Sequence, residues 1–580
     1  MPLRRHHPAG PRAESARGTW WIDLLVVVAL AAVVAGVVAL ARRWTAPLRP
    51  TVDIDLSLWS LPGYTLLSLA RGVAAYLLSL AFTLVYGSVA AHRRVAERVM
   101  IPVLDILQGI PVLGFLPGLV LGMVALFPGS NIGLELACVV MIFTGQVWNM
   151  TFSFYGSLRA IPLELREASR VYRFGWWKTF RTLEVPAAMI GLVWNSMMSM
   201  AGGWFFLTVN EAFTLGDHDF RLPGVGSYMS VAIDHGDARA MAAATVAMIV
   251  MIVVVDQLVW RPALVWAQKF KLEDTEADAA ASSWLLDLLR RSRAITWIGT
   301  TVARLLARLA GGRAAAAPSA DGDDGATSGR IATKLLAGAV AAALALLALA
   351  GAAHLLTMLR ALTAAEWLHL AAALGLTFLR TYAALAIGAL WTVPVGIWIG
   401  LSPARTRILQ PIIQVAAAFP APMIFPLVTL AILAAGVPFS WGCVALMLLG
   451  SQWYILFNVL AGAGAMPHDL REVAEVCGLG RWARWRTLYL PAIVPYLVTG
   501  LITAAGGAWN ASIVAEYVRY RGETLIAPGL GSLITTATAT GNFPLLAAGV
   551  MTMSLGIVAV NRTVWRRLGR YADARFSLNR

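Results

Sequence analysis

Apolar residues fall into twelve long runs separated by shorter polar breaks: 20–41, 62–90, 101–127, 132–155, 185–213, 240–261, 331–353, 367–401, 409–435, 438–462, 489–515 and 543–561. Each is close to or above the roughly 20 residues that a helix needs to cross a bilayer. None shows the strict alternation of a half-buried strand. In lipid a helix keeps its backbone groups bonded within its own segment, which an open sheet does not. The pattern therefore predicts an all-α polytopic membrane protein of about 12 transmembrane helices. The run 20–41 is too long for the core of a cleaved leader and lacks a clear small-residue cleavage site, so it reads as a retained helix.

The polar breaks set the expected organisation: an N-terminal tail and first helix (1–61), a first membrane domain (62–262), a polar segment (263–330), a seventh helix with an outer loop (331–366), a second membrane domain (367–567) and a C-terminal tail (568–580). Within the polar segment, 284–309 has helical apolar spacing with interleaved arginines, the pattern of an amphipathic helix lying on a membrane face. Residues 311–329 have the composition of a flexible linker.

Composition agrees with the pattern. The chain is 59% hydrophobic and 13% charged, against about 25% charged in soluble proteins. Its net charge of +15 follows from topology. With the N-terminus inside, 36 of the 46 Lys and Arg residues fall on inside segments and 8 on outside loops, while Arg71 and Arg380 sit near the starts of spans. That bias places both termini in the cytoplasm of a multi-pass plasma (inner) membrane protein, and it leaves no charge to assign to a nucleic-acid partner. Three cysteines, Cys138, Cys443 and Cys477, imply no disulfide framework.

The chain repeats itself. Shifted by 305, residues 138–227 align without a gap: Cys138 with Cys443, Trp148 with Trp453, Glu167 with Glu472, Gly175 with Gly480, Pro186 with Pro491, Trp204 with Trp509 and Glu211 with Glu516. PGVGS at 223–227 meets PGLGS at 528–532. Earlier the shift is 309, pairing Arg71 with Arg380 and Pro111 with Pro420. Six spans in each half give both halves the same orientation, a parallel repeat about an axis along the membrane normal.

Two loops on the basic side, 156–184 and 463–489, are longer than a turn requires. Each reads as proline, short amphipathic helix, glycine turn, aromatic-basic helix and Leu-x-x-Pro entering the next span. The second carries Glu472-Val-Ala474-Glu-Val-Cys-Gly478 and, nine residues on, Leu488-Tyr-Leu-Pro491. It closely resembles the EAA loop of ABC-importer permeases, E-A-A, three residues, G, nine residues, I-x-L-P. The first loop fits at Glu167, Ala168, Leu183 and Pro186. It departs at the motif glycine, where Arg173 stands, with Gly175 the nearby candidate for the turn. Trp509, Glu516 and PGLGS resemble the nitrate/sulfonate/taurine branch of these permeases.

The resemblance implies two fused six-helix ABC type I permease domains in one chain. It makes Glu167, Ala168, Gly175, Pro186, Glu472, Ala474, Gly478, Gly480 and Pro491 the ATPase-coupling residues. It implies two copies of a cytoplasmic ABC ATPase subunit, an extracytoplasmic solute-binding protein, surrounding lipid and a bacterial inner membrane. No phosphate-binding G-x-x-x-x-G-K-[ST] occurs in the chain, so ATP and Mg belong to the partner and no cofactor is expected here. The solute implied is a small anion such as nitrate, a sulfonate or a taurine-like compound. Residues alone leave open an ion- or proton-coupled secondary transporter using Glu211 and Glu516.

Matched polar and aromatic residues in spans, Trp204, Glu211, Trp509, Glu516, Arg71 and Arg380, are the candidates for the translocation path. Against that role, a carboxylate at a helix end can pair with a nearby arginine, and an arginine near a span's end can snorkel to the interface. Pro111, Pro117, Pro420, Pro422 and Pro426 should kink the third and ninth spans. Small-residue runs 201–203 and 504–508 allow close helix approach. Asp217-His218-Asp219 is too local for a metal site, and no nucleophile–base arrangement suggests catalysis.

Overall fold

The computed structural model describes residues 52–108, 110–215, 218–270, 351–520 and 523–576, with isolated positions elsewhere. The runs 20–41 and most of 331–353, the amphipathic stretch 284–309 and the linker 311–329 lie outside the described residues, as do Asp217 and the side chains of His218 and Asp219. The chain divides into two units. One comprises 1–43, 257–266 and 275–350, and its described part, chiefly 257–266, is helical. The other comprises 44–256, 267–274 and 351–580 and holds the elements compared below.

The two halves repeat element for element. The first contains α1 (Leu61–His92), α2 (Arg94–Gln108), α3 (Leu116–Leu126), α4 (Ile132–Arg159), α5 (Leu163–Val171), α6 (Val185–Asn210), the strands β1 (Ala212–Leu215) and β2 (His218–Arg221), α7 (Val225–His235) and α8 (Ala238–Val255). The second contains α9 (Ala364–Gly400), α10 (Pro403–Ala418), α11 (Ala421–Ala434), α12 (Phe439–Gly464), α13 (His468–Val476), α14 (Leu490–Ala515), β3 (Tyr517–Tyr520), β4 (Glu523–Ile526), α15 (Leu530–Ala539) and α16 (Phe543–Val560). The tandem repeat of helical domains is as the sequence predicts.

The count of spans is lower. Among the described residues, seven helices are long and apolar enough to cross a membrane, or eight if the bent pair α10–α11 is one span. Beyond the runs that lie outside the description, the prolines account for much of the difference. The third run is no single helix: α2 stops at Gln108, a 3-10 turn covers Val112–Phe115, and α3 starts at Leu116. The ninth run is α10 and α11, which meet at 86°. Pro111 and Pro420 sit at the breaks in extended conformation (φ −66°, ψ 115° and φ −68°, ψ 117°). Proline disfavours the helical region for the residue before it, so the helix ends there.

Two hairpins that hydropathy does not reveal follow α6 and α14. Ala212 pairs with Arg221 and Phe213 with Phe220; Tyr517 pairs with Ile526 and Val518 with Leu525. Four-residue strands beyond the apolar runs are too short to show a period.

Glycine sets the spacing within each half. In the first, Gly87 lies under the Phe154 ring and Gly72 under Trp204. Gly400 lies against Ala463 in the second. The small-residue runs divide by face. Gly203 packs on Gln146 within its own half, whereas Gly202 and Gly507 flank Tyr454 from α6 and α14. The halves also exchange elements. The turn after α2 reaches α14, where the Val112 N–H donates to Asn510 Oδ1 at 2.9 Å. In the reverse sense α10 reaches α8, where Gln414 Nε2 donates to Asp256 Oδ1 at 3.0 Å.

Candidate functional site

Each path candidate is buried, and the charged ones bond one another. Arg71 on α1 meets two carboxylates. Its Nε donates to Glu135 Oε2 at 2.5 Å and Nη2 to Glu135 Oε1 at 2.8 Å. Its Nη1 donates to Glu211 Oε1 at 2.7 Å and to the Pro223 carbonyl at 2.9 Å. In the second half Arg380 Nη1 donates to Glu516 Oε1 at 3.0 Å and to the Pro528 carbonyl at 2.7 Å. Arg71 and Arg380 do not snorkel; they are 0% and 4% exposed.

The carboxylate then caps a helix. Glu211 Oε2 accepts from the Gly226 N–H at 2.8 Å, in the first turn of α7. Glu516 Oε2 accepts from Gly531 at 2.8 Å and Ser532 at 3.2 Å, in the first turn of α15. A negative group suits the positive end of a helix dipole. Hydroxyls complete the arrangement. Ser68 Oγ donates to Glu211 Oε1 at 2.6 Å and accepts from the Val225 N–H; Thr377 Oγ1 donates to Glu516 Oε1 at 2.8 Å and accepts from the Leu530 N–H.

This geometry explains the PGVGS and PGLGS repeats. A β-carbon at Gly224 or Gly529 would overlap the carboxylate of Glu211 or Glu516. One at Gly226 would sit 2.5 Å from the Thr208 carbonyl oxygen, and one at Gly531 would meet the Ser512 carbonyl equally closely. Gly226→Ala and Gly531→Ala are each expected to cost about 1–3 kcal/mol, read as a lowered unfolding midpoint in nanodiscs. Unchanged midpoints would mean that the helices can separate without cost.

Apart from the exchange of one hydroxyl residue for another, Ser68 for Thr377, the halves differ at one member. The position of Glu135 is occupied by Ser440 in the second half, so Arg71 serves two carboxylates and Arg380 one. Glu135, Ser68 and Thr377 were not among the residues the sequence singled out. The available signal was an acid in the apolar run 132–155. Trp204 and Trp509, each 2% exposed, are packed, with Trp204 lying on Gly72.

The two basic loops expected to couple to an ATPase are congruent. α5 and α13, nine residues each, start after Pro162 and Pro467. Arg173 has φ 50° and Gly478 φ 63°. Phe174 N–H reaches the Ser169 carbonyl at 2.9 Å, and Leu479 N–H the Ala474 carbonyl at 3.1 Å, the same C-terminal closure in both loops. The turn in the first loop is thus made by Arg173 itself. Gly175, expected to supply it, is extended (φ −65°, ψ 161°), as is Gly480 (φ −63°, ψ 162°). A left-handed φ costs a residue with a β-carbon about 1 kcal/mol or more. Arg173→Gly is therefore expected to stabilise this loop by about 1 kcal/mol, seen as slower amide exchange over residues 168–175. Faster exchange would contradict it.

Arginines fasten both helices to the spans. Arg166 Nη2 donates to the Leu158 carbonyl. Arg471 donates to the carbonyls of Leu401 (3.2 Å), Ala463 (2.9 Å) and Met466 (3.2 Å). Glu167 and Glu472 are exposed, Ala168 is half-buried and Ala474 is buried. Beyond each loop a π-helical turn, Phe180–Glu184 and Trp485–Tyr489, leads into α6 and α14. Pro186 and Pro491 lie second in those helices. They lack the N–H for the carbonyl four residues back and crowd it with the ring, which the wider π turn relieves.

The chain matches the family of binding-protein-dependent transport system inner membrane components twice, over residues 83–259 and 392–565. It is 33% identical over 124 residues to the nitrate import permease protein NrtB of Leptolyngbya laminosa, covering 21% of this chain and 43% of that one. To the taurine transport system permease protein TauC of Escherichia coli (strain K12) it is 28% identical over 205 residues, 34% of this chain and 70% of the relative. To the bicarbonate transport system permease protein CmpB of Synechococcus elongatus it is 30% identical over 133 residues, 23% and 46% respectively. The alignments thus span less than half of the nitrate and bicarbonate relatives named here.

Proposed function

Because the chain belongs to the family of binding-protein-dependent transport system inner membrane components, we propose that it is the complete permease pair of an ATP-binding-cassette importer, with both halves fused. Two cytoplasmic ATPase subunits dock on α5 and α13, and an extracytoplasmic solute-binding protein delivers the solute from the other side. ATP and Mg are bound by the ATPases. The solute is small and polar, in the range that the relatives' names span: nitrate, taurine and bicarbonate.

The observation that carries this reading is the congruence of the two coupling loops. They keep the same helix length, the same left-handed closure and the same π turn, although one has arginine where the other has glycine. Each also exposes large apolar side chains: Val171, Tyr172 and Trp177 on the first, and Val473, Val476 and Trp482 on the second. Such patches mark surfaces that a partner covers. The arginine-fastened helices would pass a push from the ATPases to the spans.

A secondary transporter would need Glu211 or Glu516 to gain and lose protons. Both are held by an arginine, a hydroxyl and helix N–H groups at once, which favours a structural role. The test is solute uptake into proteoliposomes holding the chain and a cytoplasmic ABC ATPase subunit from the same organism. Uptake should require internal ATP and persist with an uncoupler. Uptake that ignores ATP and collapses with the uncoupler would overturn the proposal.

A further inference from the structure

Glu184 closes the π turn that carries the first basic loop into α6, and its side chain is 10% exposed. One oxygen, Oε2, is buried with no hydrogen-bond partner among the described residues. The other, Oε1, lies 2.7 Å from Nε2 of His92, the last residue of α1. On the other side of the same ring, Nδ1 lies 2.7 Å from the Ser88 carbonyl oxygen. A single imidazole thus joins the loop to a span.

Both ring nitrogens face acceptors. A neutral imidazole has one N–H donor and one bare nitrogen. Beside an ionised Glu184, either tautomer sets its bare nitrogen 2.7 Å from an oxygen that has no proton to give. The arrangement therefore needs one further proton, held between Nε2 and Oε1. With it, Nδ1 donates to Ser88 and the contact to Glu184 is a charge-assisted hydrogen bond. Without it, a buried carboxylate loses the one partner it has among the described residues, which is costly. The imidazole is 40% exposed, so this proton exchanges with solvent.

The neighbouring ionisable groups do not replace it. Glu97 on α2 is taken by Arg159 and Tyr155 of α4, and Asp256 at the end of α8 is bonded by Gln414. Arg93, Arg94, Arg98 and Arg181 are exposed, and among the described residues none of these groups bonds His92 or Glu184. The repeat supplies an internal comparison. The positions equivalent to His92 and Glu184 are Leu401 and Tyr489, and both pack against one apolar cluster. The second half makes the same joint with neither imidazole nor carboxylate.

We propose that His92 and Glu184 are positioning residues for the first basic loop, a proton-held clasp that ties it to α1 at lower pH and releases it as the pH rises. Histidine is the side chain whose charge ordinarily changes between about pH 5 and 8. The second loop, held by apolar packing, keeps its place throughout. The proposal takes from the permease reading only that the first loop meets an ATPase, so that ATP-driven uptake falls as the clasp opens.

The test begins with the full chain in lipid nanodiscs without ATPase. Amide-exchange protection over residues 163–184 is divided by that over 468–489 in the same sample, which cancels the intrinsic pH dependence of exchange. From about pH 5 to 8 the ratio should fall about tenfold or more, the worth of a hydrogen bond to a charged group. The pair His92→Leu with Glu184→Tyr, which carries the second half's residues, should hold the ratio flat, as should His92→Gln, whose amide donates at every pH. A flat ratio in the unsubstituted chain, or a fall that persists in the Leu/Tyr pair, overturns the proposal. With a cytoplasmic ABC ATPase subunit from the same organism in proteoliposomes, uptake by the unsubstituted chain should fall over the same range relative to the Leu/Tyr pair. A ratio that falls while relative uptake stays level also overturns it. Absence of ATP-driven uptake at every pH strikes the permease reading instead, and the exchange ratio still decides whether the clasp exists.

Discussion

Replacing Arg71 with Met is expected to destabilise the chain more than any other single change considered, by about 3–5 kcal/mol or beyond. Removing one partner of a buried ion pair leaves an uncompensated charge, which typically costs that much. At Arg71 two carboxylates, Glu135 and Glu211, lose their cation together. Arg380→Met strands Glu516 alone and should cost less. Second-site changes sharpen the contrast. Arg380→Met with Glu516→Gln should recover most of the loss, because no buried charge remains from the pair. Arg71→Met with Glu211→Gln should recover only part, because Glu135 stays unpaired. Unfolding midpoints in nanodiscs and yield in membranes read this out. Equal losses at Arg71 and Arg380, or full recovery with Glu211→Gln, would show that Glu135 is not paired as described.

The second large effect concerns coupling. Glu472→Arg is expected to lower ATP-driven uptake about 30-fold or more while the chain still inserts in the membrane. Glu472 lies exposed on α13, so the change should leave the packing of the spans in place. Losing one charge of a desolvated interface pair costs about 2–5 kcal/mol, and each 1.4 kcal/mol is a factor of ten. Glu167→Arg should do the same through α5, because its loop closes as the other does despite Arg173. Normal uptake in either variant would remove that loop from the coupling path.

Much of the architecture was legible. The apolar runs and the repeat of Trp, Glu, Pro and Gly at fixed shifts gave two equivalent helical halves, and Pro111 and Pro420 marked both breaks. The sharpness of the breaks was not legible, since hydropathy counts residues and is blind to direction. Glu211, Glu516 and the PGVGS and PGLGS stretches were each visible as repeated features. That each glutamate caps the helix its glycine motif begins was not, because the bonding crosses the hairpin from residue 211 to 226 and from 516 to 531. Arg71 and Arg380 suggested a path by their type and position. Glu135, which pairs with Arg71, and Ser68 and Thr377, whose hydroxyls bond Glu211 and Glu516, lay in stretches where a lone polar residue passes unnoticed among apolar ones. Arg173 looked like a defect in the first of the two basic loops because propensity favours glycine at that conformation. The closing hydrogen bonds hold the arginine there regardless.

The central claim is that one chain carries two coupling surfaces. Native mass spectrometry of the chain co-expressed with a cytoplasmic ABC ATPase subunit from the same organism and purified in mild detergent tests this most directly. The account predicts two ATPase copies per chain, one copy for Glu167→Arg or Glu472→Arg, and none for the double variant. A single copy on the unsubstituted chain, or no ATPase in any sample, would contradict it.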